Sequence, residues 1–154
     1  MKPLSKTNCK WSSKLAYIIG LIATDGNLSS DGRHIVFTSK DLELAELFRS
    51  YLGYDGKIGK KSRGGEVDKK YYVVQIGDVV FYKFLMSLGL TPNKSFSINK
   101  LKIPKKYFYD FFRGCIDGDG SIDYFMHPES KLPQYRVRLV SASKLFLEWI
   151  RNIT

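Results

Sequence analysis

Asp25 and Asp119 are the residues in this sequence best placed to do chemistry. Each precedes a glycine, and each follows an apolar stretch with another glycine five residues upstream: IIGLIATDG at residues 18–26 and FRGCIDGDG at residues 112–120. A carboxylate in the last turn of a helix faces the negative end of the helix dipole, an unfavourable placement by roughly a few tenths of a kcal/mol. If two such helices pack side by side, their carboxylates converge beside two sets of unpaired carbonyls. A hard divalent cation neutralises that arrangement with oxygen ligands. In a basic protein this chemistry suits phosphodiester hydrolysis, where a metal activates water and stabilises the leaving oxygen. One Asp-Gly is a common turn dipeptide and would signify little. Two copies, each ending a glycine-containing apolar helix and each followed by a strand pattern, carry the inference.

The helices that must position these acids show a matching stripe of small residues. Ala16, Gly20 and Thr24 recur on one side of the first, and Asp110, Gly114 and Gly118 occupy the matching sites of the second. Glycine inside a helix costs about 1 kcal/mol against alanine. Close approach of two backbones through Gly20 and Gly114 is a compensating reason. Ser12 or Ser13 caps the first helix, which runs to Thr24 or Asp25; Gly26 and Gly120 are expected to end the two helices as left-handed caps.

The remaining elements follow from periodicity. Residues 27–32 are polar and turn-rich. His34–Ser39 alternates as a half-buried strand, with Ile35 and Phe37 on its core face. Asp41 caps a second helix carrying Leu42, Ala45, Leu47, Phe48 and Leu52, which ends before Gly53. Residues 57–61 and 71–76 read as two further strands joined by a basic loop. Val79–Leu88 is another amphipathic helix, residues 91–104 a linker, and residues 105–119 a helix ending in glycine. Residues 135–141 then alternate like His34–Ser39, and residues 143–153 resemble the helix after Asp41: FTSKDLELAELF stands beside LVSASKLFLEWI. This is an internal repeat. It divides the chain into a basic arm (1–11), a complete repeat with linker (12–104) and a partial second repeat (105–154) that lacks counterparts of residues 57–88.

Bulk properties narrow the function classes. The chain has 154 residues, 44% hydrophobic and 14% aromatic, enough for a packed core and against disorder. Lys plus Arg outnumber Asp plus Glu by 25 to 15, a net charge of +10 that favours a polyanionic partner. Cys9 and Cys115 lie far apart with no paired metal spacing, pointing to a reducing intracellular setting. His34 and His127 lack partners at zinc-ligand spacing. The longest apolar run, residues 15–23, is too short to span a membrane, so no membrane partner is expected.

The two acidic segments resemble the paired LAGLIDADG motifs of homing endonucleases, and the order helix–strand–strand–helix–strand–strand–helix in residues 12–88 resembles that family's repeat. The resemblance implies an α+β fold of αββαββα repeats, with a saddle-shaped antiparallel sheet and the paired motif helices at its core. It implies a site-specific, metal-dependent endonuclease that cuts both strands of DNA and leaves short 3′ overhangs. By position, Asp25 and Asp119 would bind the catalytic Mg2+, with Mn2+ or Ca2+ as substitutes in binding. The carbonyls of Thr24 and Gly118 would add ligands. Lys94, in GLTPNKS, resembles the family's basic residue near the cleavage centre, which could stabilise developing phosphate charge. Position six of the first motif is Ala23 where the family has Asp; the second keeps Asp117.

Strand alternation selects the residues facing DNA: His34, Val36 and Thr38, Lys57 and Lys61, Tyr71, Val73 and Gln75, and Arg136 and Arg138. Gln can read adenine in the major groove, and Arg or Lys guanine. Arg63, Lys69 and Lys70 in the loop suit phosphates. Double-stranded DNA is the expected partner. A non-cleaving intron-RNA maturase or DNA-binding regulator is the alternative on the same scaffold. A dimer partner or second polypeptide is a candidate source of the missing strands.

Overall fold

The structure is a computed structural model that describes residues 7–154 apart from Arg63, Gly64, Glu66, Val67 and Lys69. The phosphate contacts expected of Arg63 and Lys69 therefore lie outside the described residues. Helix α1 (Ser13–Asp25) starts where the Ser12 side chain accepts from the Leu15 N–H, and every residue from Leu15 to Ala23 is buried. A helix apolar on all sides must be enclosed by protein, and α1 is: the first sheet and its helices lie on one side and α5 (Phe108–Asp119) on the other.

The first sheet is antiparallel, in the order β1 (Gly26–Leu28), β2 (His34–Ser39), β4 (Tyr71–Gly77), β3 (Gly59–Lys61). Its core face carries Leu28, Ile35, Phe37, Val74 and Ile76. Against it lie α2 (Leu42–Leu52) and α3 (Val79–Leu88), with the Phe37 and Phe48 rings stacked at 4.4 Å. Asp41 and Asp78 cap these helices through their carboxylates, and Gly53 and Gly89 end them in the left-handed conformation that a residue without Cβ adopts freely. The second sheet pairs β5 (Gly120–Met126) with β6 (Pro133–Leu139), followed by α6 (Lys144–Ile153). Phe146 and Ile150 of α6 enter the core, and Trp149 packs against Phe108 and Phe111. The order α1-β1-β2-α2-β3-β4-α3 makes this an α+β fold of the LAGLIDADG type with the motif helices at its core.

Several local expectations are corrected. Gly26 (φ −90°, ψ 166°) and Gly120 (φ −105°, ψ 179°) are extended, not left-handed, because each helix passes straight into a strand. Glycine is needed there for space: a Cβ on Gly26 would approach the Ile22 Cα to 2.6 Å, and one on Gly120 the Arg138 carbonyl to 2.7 Å. Gly26 accordingly opens strand β1 inside the stretch read as turn. The strand expected at 57–61 is only Gly59–Lys61, leaving Lys57 outside it, and the one expected at 135–141 begins and ends two residues earlier. The linker holds a short helix, α4 (Lys94–Ser97), and residues 105–107 are a 3-10 turn ahead of α5. The described part of the N-terminal arm is packed: Thr7 is buried and donates its N–H to Asp78 at 3.0 Å, and Trp11 stacks on Tyr107.

Candidate active site

The two motif helices meet backbone to backbone. A Cβ on Gly20 would collide with the Phe111 carbonyl, and one on Gly114 with the Tyr17 carbonyl. One turn further along, Gly118 faces Thr24, whose hydroxyl donates to the Gly20 carbonyl at 3.1 Å, and the Asp25 carboxylate lies 3.7 Å from the place a Gly118 Cβ would take. The glycine contact therefore brings Asp25 of one helix beside the last turn of the other, which ends in Asp119. Toward the solvent side of the same contact, the Tyr17 hydroxyl donates to Asp117 at 2.6 Å, and the Arg113 guanidinium sits 4.8 Å over the Tyr17 ring. Burial and this bond push the Tyr17 hydroxyl far above its usual ionisation range.

Lys94 completes the convergence. Gly89 and Asn93, both at positive φ, turn the chain after α3, and Leu90, Ile98 and Leu101 anchor the segment in the core. The Ser143 hydroxyl donates to the Ile98 carbonyl, tying the start of α6 to the same segment. Lys94 is thereby only 5% exposed. Burial lowers its pKa, and the carboxylates of Asp25 and then Asp119 oppose that shift. Asp119 is raised by its own desolvation and lowered by Lys94. Lys94 thus borders one cavity with Asp25 and another with Asp119, the carboxylates that end the two motif helices. The first, of about 300 Å³, is also bounded by Thr24, Asn27, Thr38 and Lys61 and opens to solvent.

Among the described residues, no three His, Cys, Asp or Glu side chains come together as a metal cluster. The donors present are two carboxylates at helix ends rich in carbonyl oxygen. That set fits Mg2+, which keeps much of its water and is held by one or two carboxylates together with phosphate oxygens.

The expected DNA face is one surface of the first sheet. Register places Thr38 beside Val73, Val36 beside Gln75, and Lys61 beside Tyr71. Asn27, beside Val36 and exposed, joins this surface; strand β1 was too short to be read from sequence, although the pattern exposed Asn27–buried Leu28 was its trace. Lys40, over the Tyr71 ring at 5.3 Å, also borders the site and has no sequence signal; Asp117, marked in the sequence only as the acid at position six of the second motif, borders it too. His34 is engaged at 2.5 Å with Asp31 at the far end of β2, away from the acids. Lys57 and Lys70 are exposed beside the sheet. On the second sheet Arg136 and Arg138 are both exposed; Arg138 pairs with Asp123 at 3.3 Å, while Arg136 lies 4.8 Å over the Phe125 ring.

A pair of acid-ended helices packed through glycine, between antiparallel sheets, defines a protein of the LAGLIDADG class. The LAGLIDADG-like domain family matches residues 12–89, just over half of the sequence, and the chain belongs to that family. It is also 29% identical over 126 residues to an uncharacterized protein of Methanocaldococcus jannaschii, covering 79% of this chain and 46% of that one. The chain thus spans about half the length of this curated relative. Among solved structures, the N-terminal LAGLIDADG domain of DUF199/WhiA aligns at 19% identity and a TM-score of 0.43, covering 82% of this chain and 65% of that one. Full-length DUF199/WhiA from Thermatoga maritima aligns at 18% and 0.42, covering 79% and 40%. Among the described residues no helix is long and apolar enough to cross a membrane.

Proposed function

We propose that the protein is a site-specific, Mg2+-dependent endonuclease that hydrolyses both strands of DNA. The observation that carries this reading is that Asp25 and Asp119 end two helices in backbone contact, with Lys94 bordering one cavity with Asp25 and another with Asp119. Asp25 and Asp119 would hold the cation, with the Thr24 and Gly118 carbonyls as further oxygen donors. When bound, the metal supplies Lewis acidity toward the phosphate and lowers the pKa of water. The protein's own groups do the rest. By holding the cation, the two carboxylates would set where a phosphate is accepted, and the Lys94 ammonium would offset charge that develops on the phosphoryl oxygens, more effectively because it is shielded from water. Sheet residues Thr38, Lys61, Tyr71 and Gln75 would set the position of the duplex, and Arg136 and Arg138 that of its other half.

A second reading is favoured by one observation. The buried Lys94 borders one cavity with Asp25 and another with Asp119, giving both carboxylates a counter-charge that needs no metal. That arrangement suits a DNA-binding regulator or an intron-RNA maturase that holds its nucleic acid without cutting it. Incubation with a plasmid library of random inserts separates the two. Mg2+-dependent linear products that disappear with EDTA support the endonuclease; metal-independent retention of DNA or an intron transcript, with no cut product, supports the binding protein.

A further inference from the structure

Strands β1–β2 and β5–β6 share one register, yet only the first pair is covered. Gly26, Asn27 and Leu28 pair with Phe37, Val36 and Ile35, as Gly120, Ser121 and Ile122 pair with Leu139, Arg138 and Val137. Leu28 and Ile35 are each 1% exposed; α3 packs on β2, and the Tyr82 hydroxyl donates to the Ser29 carbonyl at 2.5 Å. Their counterparts Ile122 and Val137 are 63% and 52% exposed. Tyr124, Met126 and Tyr135 are also more than half exposed. Residues directly opposite in an antiparallel ladder share a face. The pairs Ile122–Val137, Tyr124–Tyr135 and Met126–Pro133 therefore make one surface, apolar and without a charged side chain. The charges lie on the other face, where Arg138 pairs with Asp123 and Arg136 rests on the Phe125 ring. Single exposed apolar residues are ordinary, but a whole sheet face of them marks a contact surface.

We infer that the apolar face of β5–β6 is an interface between two copies of this chain, packed face to face about a two-fold axis. Sheets stack with their apolar faces together, and a two-fold contact sets each patch on its own copy. The centre of the patch is the Tyr124–Tyr135 pair, whose rings lie 5.3 Å apart. Charge favours this occupant: the chain carries a net charge of +10 and the patch carries none, so two copies meet here without burying a charge. Area is sufficient. Five side chains of this size, each more than half exposed, offer on the order of 600 Å² per copy, so two copies bury about 1,200 Å², the low end of specific interfaces. Arg136 and Arg138, on the opposite face of each hairpin, stay outside, and the dimer presents two basic surfaces that point apart. The interface holds whether or not the nucleic acid is cut.

The test is sedimentation equilibrium of the full chain, freed of nucleic acid by nuclease and a high-salt wash, from about 1 to 100 µM, where an interface of this size dissociates. The wild type is expected to pass from monomer to dimer across that range. Raising NaCl from about 0.15 to 0.5 M tightens the dimer, because repulsion between the two basic chains is screened. Tyr135→Lys and Val137→Lys each weaken the dimer about tenfold or more, by placing a charge in the buried centre. Gln134→Lys adds the same charge to the opposite face and leaves the dimer intact. Circular dichroism and melting temperature check that each variant is folded; Tyr135, the most exposed of the five, carries the test if Val137→Lys is not. A wild type that stays monomeric at the highest concentration assigns the face to a different polypeptide and overturns the inference. A dimer that both lysine variants leave intact, or association into larger species without a dimer, overturns it equally.

Discussion

Gly20 and Gly114 face each other so closely that a Cβ on Gly20 would come within 2.9 Å of the Gly114 Cα, and one on Gly114 within 3.1 Å of the Gly20 Cα. This contact fixes the separation of α1 and α5, and through it the approach of Asp25 to Asp119. In an exposed helix, glycine to alanine gains about 1 kcal/mol. Here the added methyl meets rigid backbone, with overpacking costs of about 1–3 kcal/mol or more that outweigh the propensity gain. Gly20→Ala and Gly114→Ala are each expected to lower the urea midpoint and to weaken any Mg2+-dependent activity together with it. A midpoint that rises would mean the helices do not touch here.

Asp119 gives a pH dependence of defined sign. Desolvation raises its folded pKa above the unfolded value of about 3.9. The folded state therefore binds more proton than the unfolded state across that interval. Stability falls as pH rises through it and stays lower above it. Asp119→Asn removes the unfavourable charge, so the variant should be more stable than the wild type at neutral pH without metal, with a flatter pH profile above about pH 4. Added Mg2+ should raise the wild-type melting temperature and not that of the variant. Thermal melts across pH, with and without Mg2+, measure both. A less stable variant at neutral pH would show that the carboxylate is needed for folding.

Arg136 and Arg138 sit on one face of β6 but differ in what they hold. Arg138 shares its charge with Asp123, whereas Arg136 rests on the Phe125 ring. Arg136→Ala is expected to cost more DNA affinity and to reduce the salt slope by about 0.9, the value of one phosphate contact. Arg138→Ala should change the slope by less. Fluorescence anisotropy of a labelled mixed-sequence duplex, titrated with salt, distinguishes them; equal slopes would mean that the Asp123 pair has no effect on DNA.

The acids and the helices bearing them were legible because the evidence for them is local and repeated: an apolar run, an internal glycine, Asp-Gly, then alternation. α2 was legible from apolar periodicity bounded by Asp41 and Gly53, and α3 from its apolar periodicity. What escaped depends on distant contacts. Strand β1 has three residues and exists because Gly26 leaves α1 extended under the Ile22 backbone. α4 is held by the buried Ile98 and Leu101 and by Ser143, whose hydroxyl reaches it from 45 residues away. Lys94 was singled out by resemblance, but nothing in GLTPNKS shows that it is buried beside the cavities that Asp25 and Asp119 border. Asp117 and Lys40 lie beside Asp25 only after the glycine contact has set α5 against α1.

If Asp25 and Asp119 form one metal-dependent centre, cleavage needs both, and paired single-acid variants measure that need. Supercoiled plasmid carrying random inserts is incubated with wild type, Asp25→Asn and Asp119→Asn, each confirmed as folded, in Mg2+ and in EDTA. Linear product is expected from the wild type in Mg2+ alone, and none from either variant. Linearisation by both variants at the wild-type rate would contradict a shared centre.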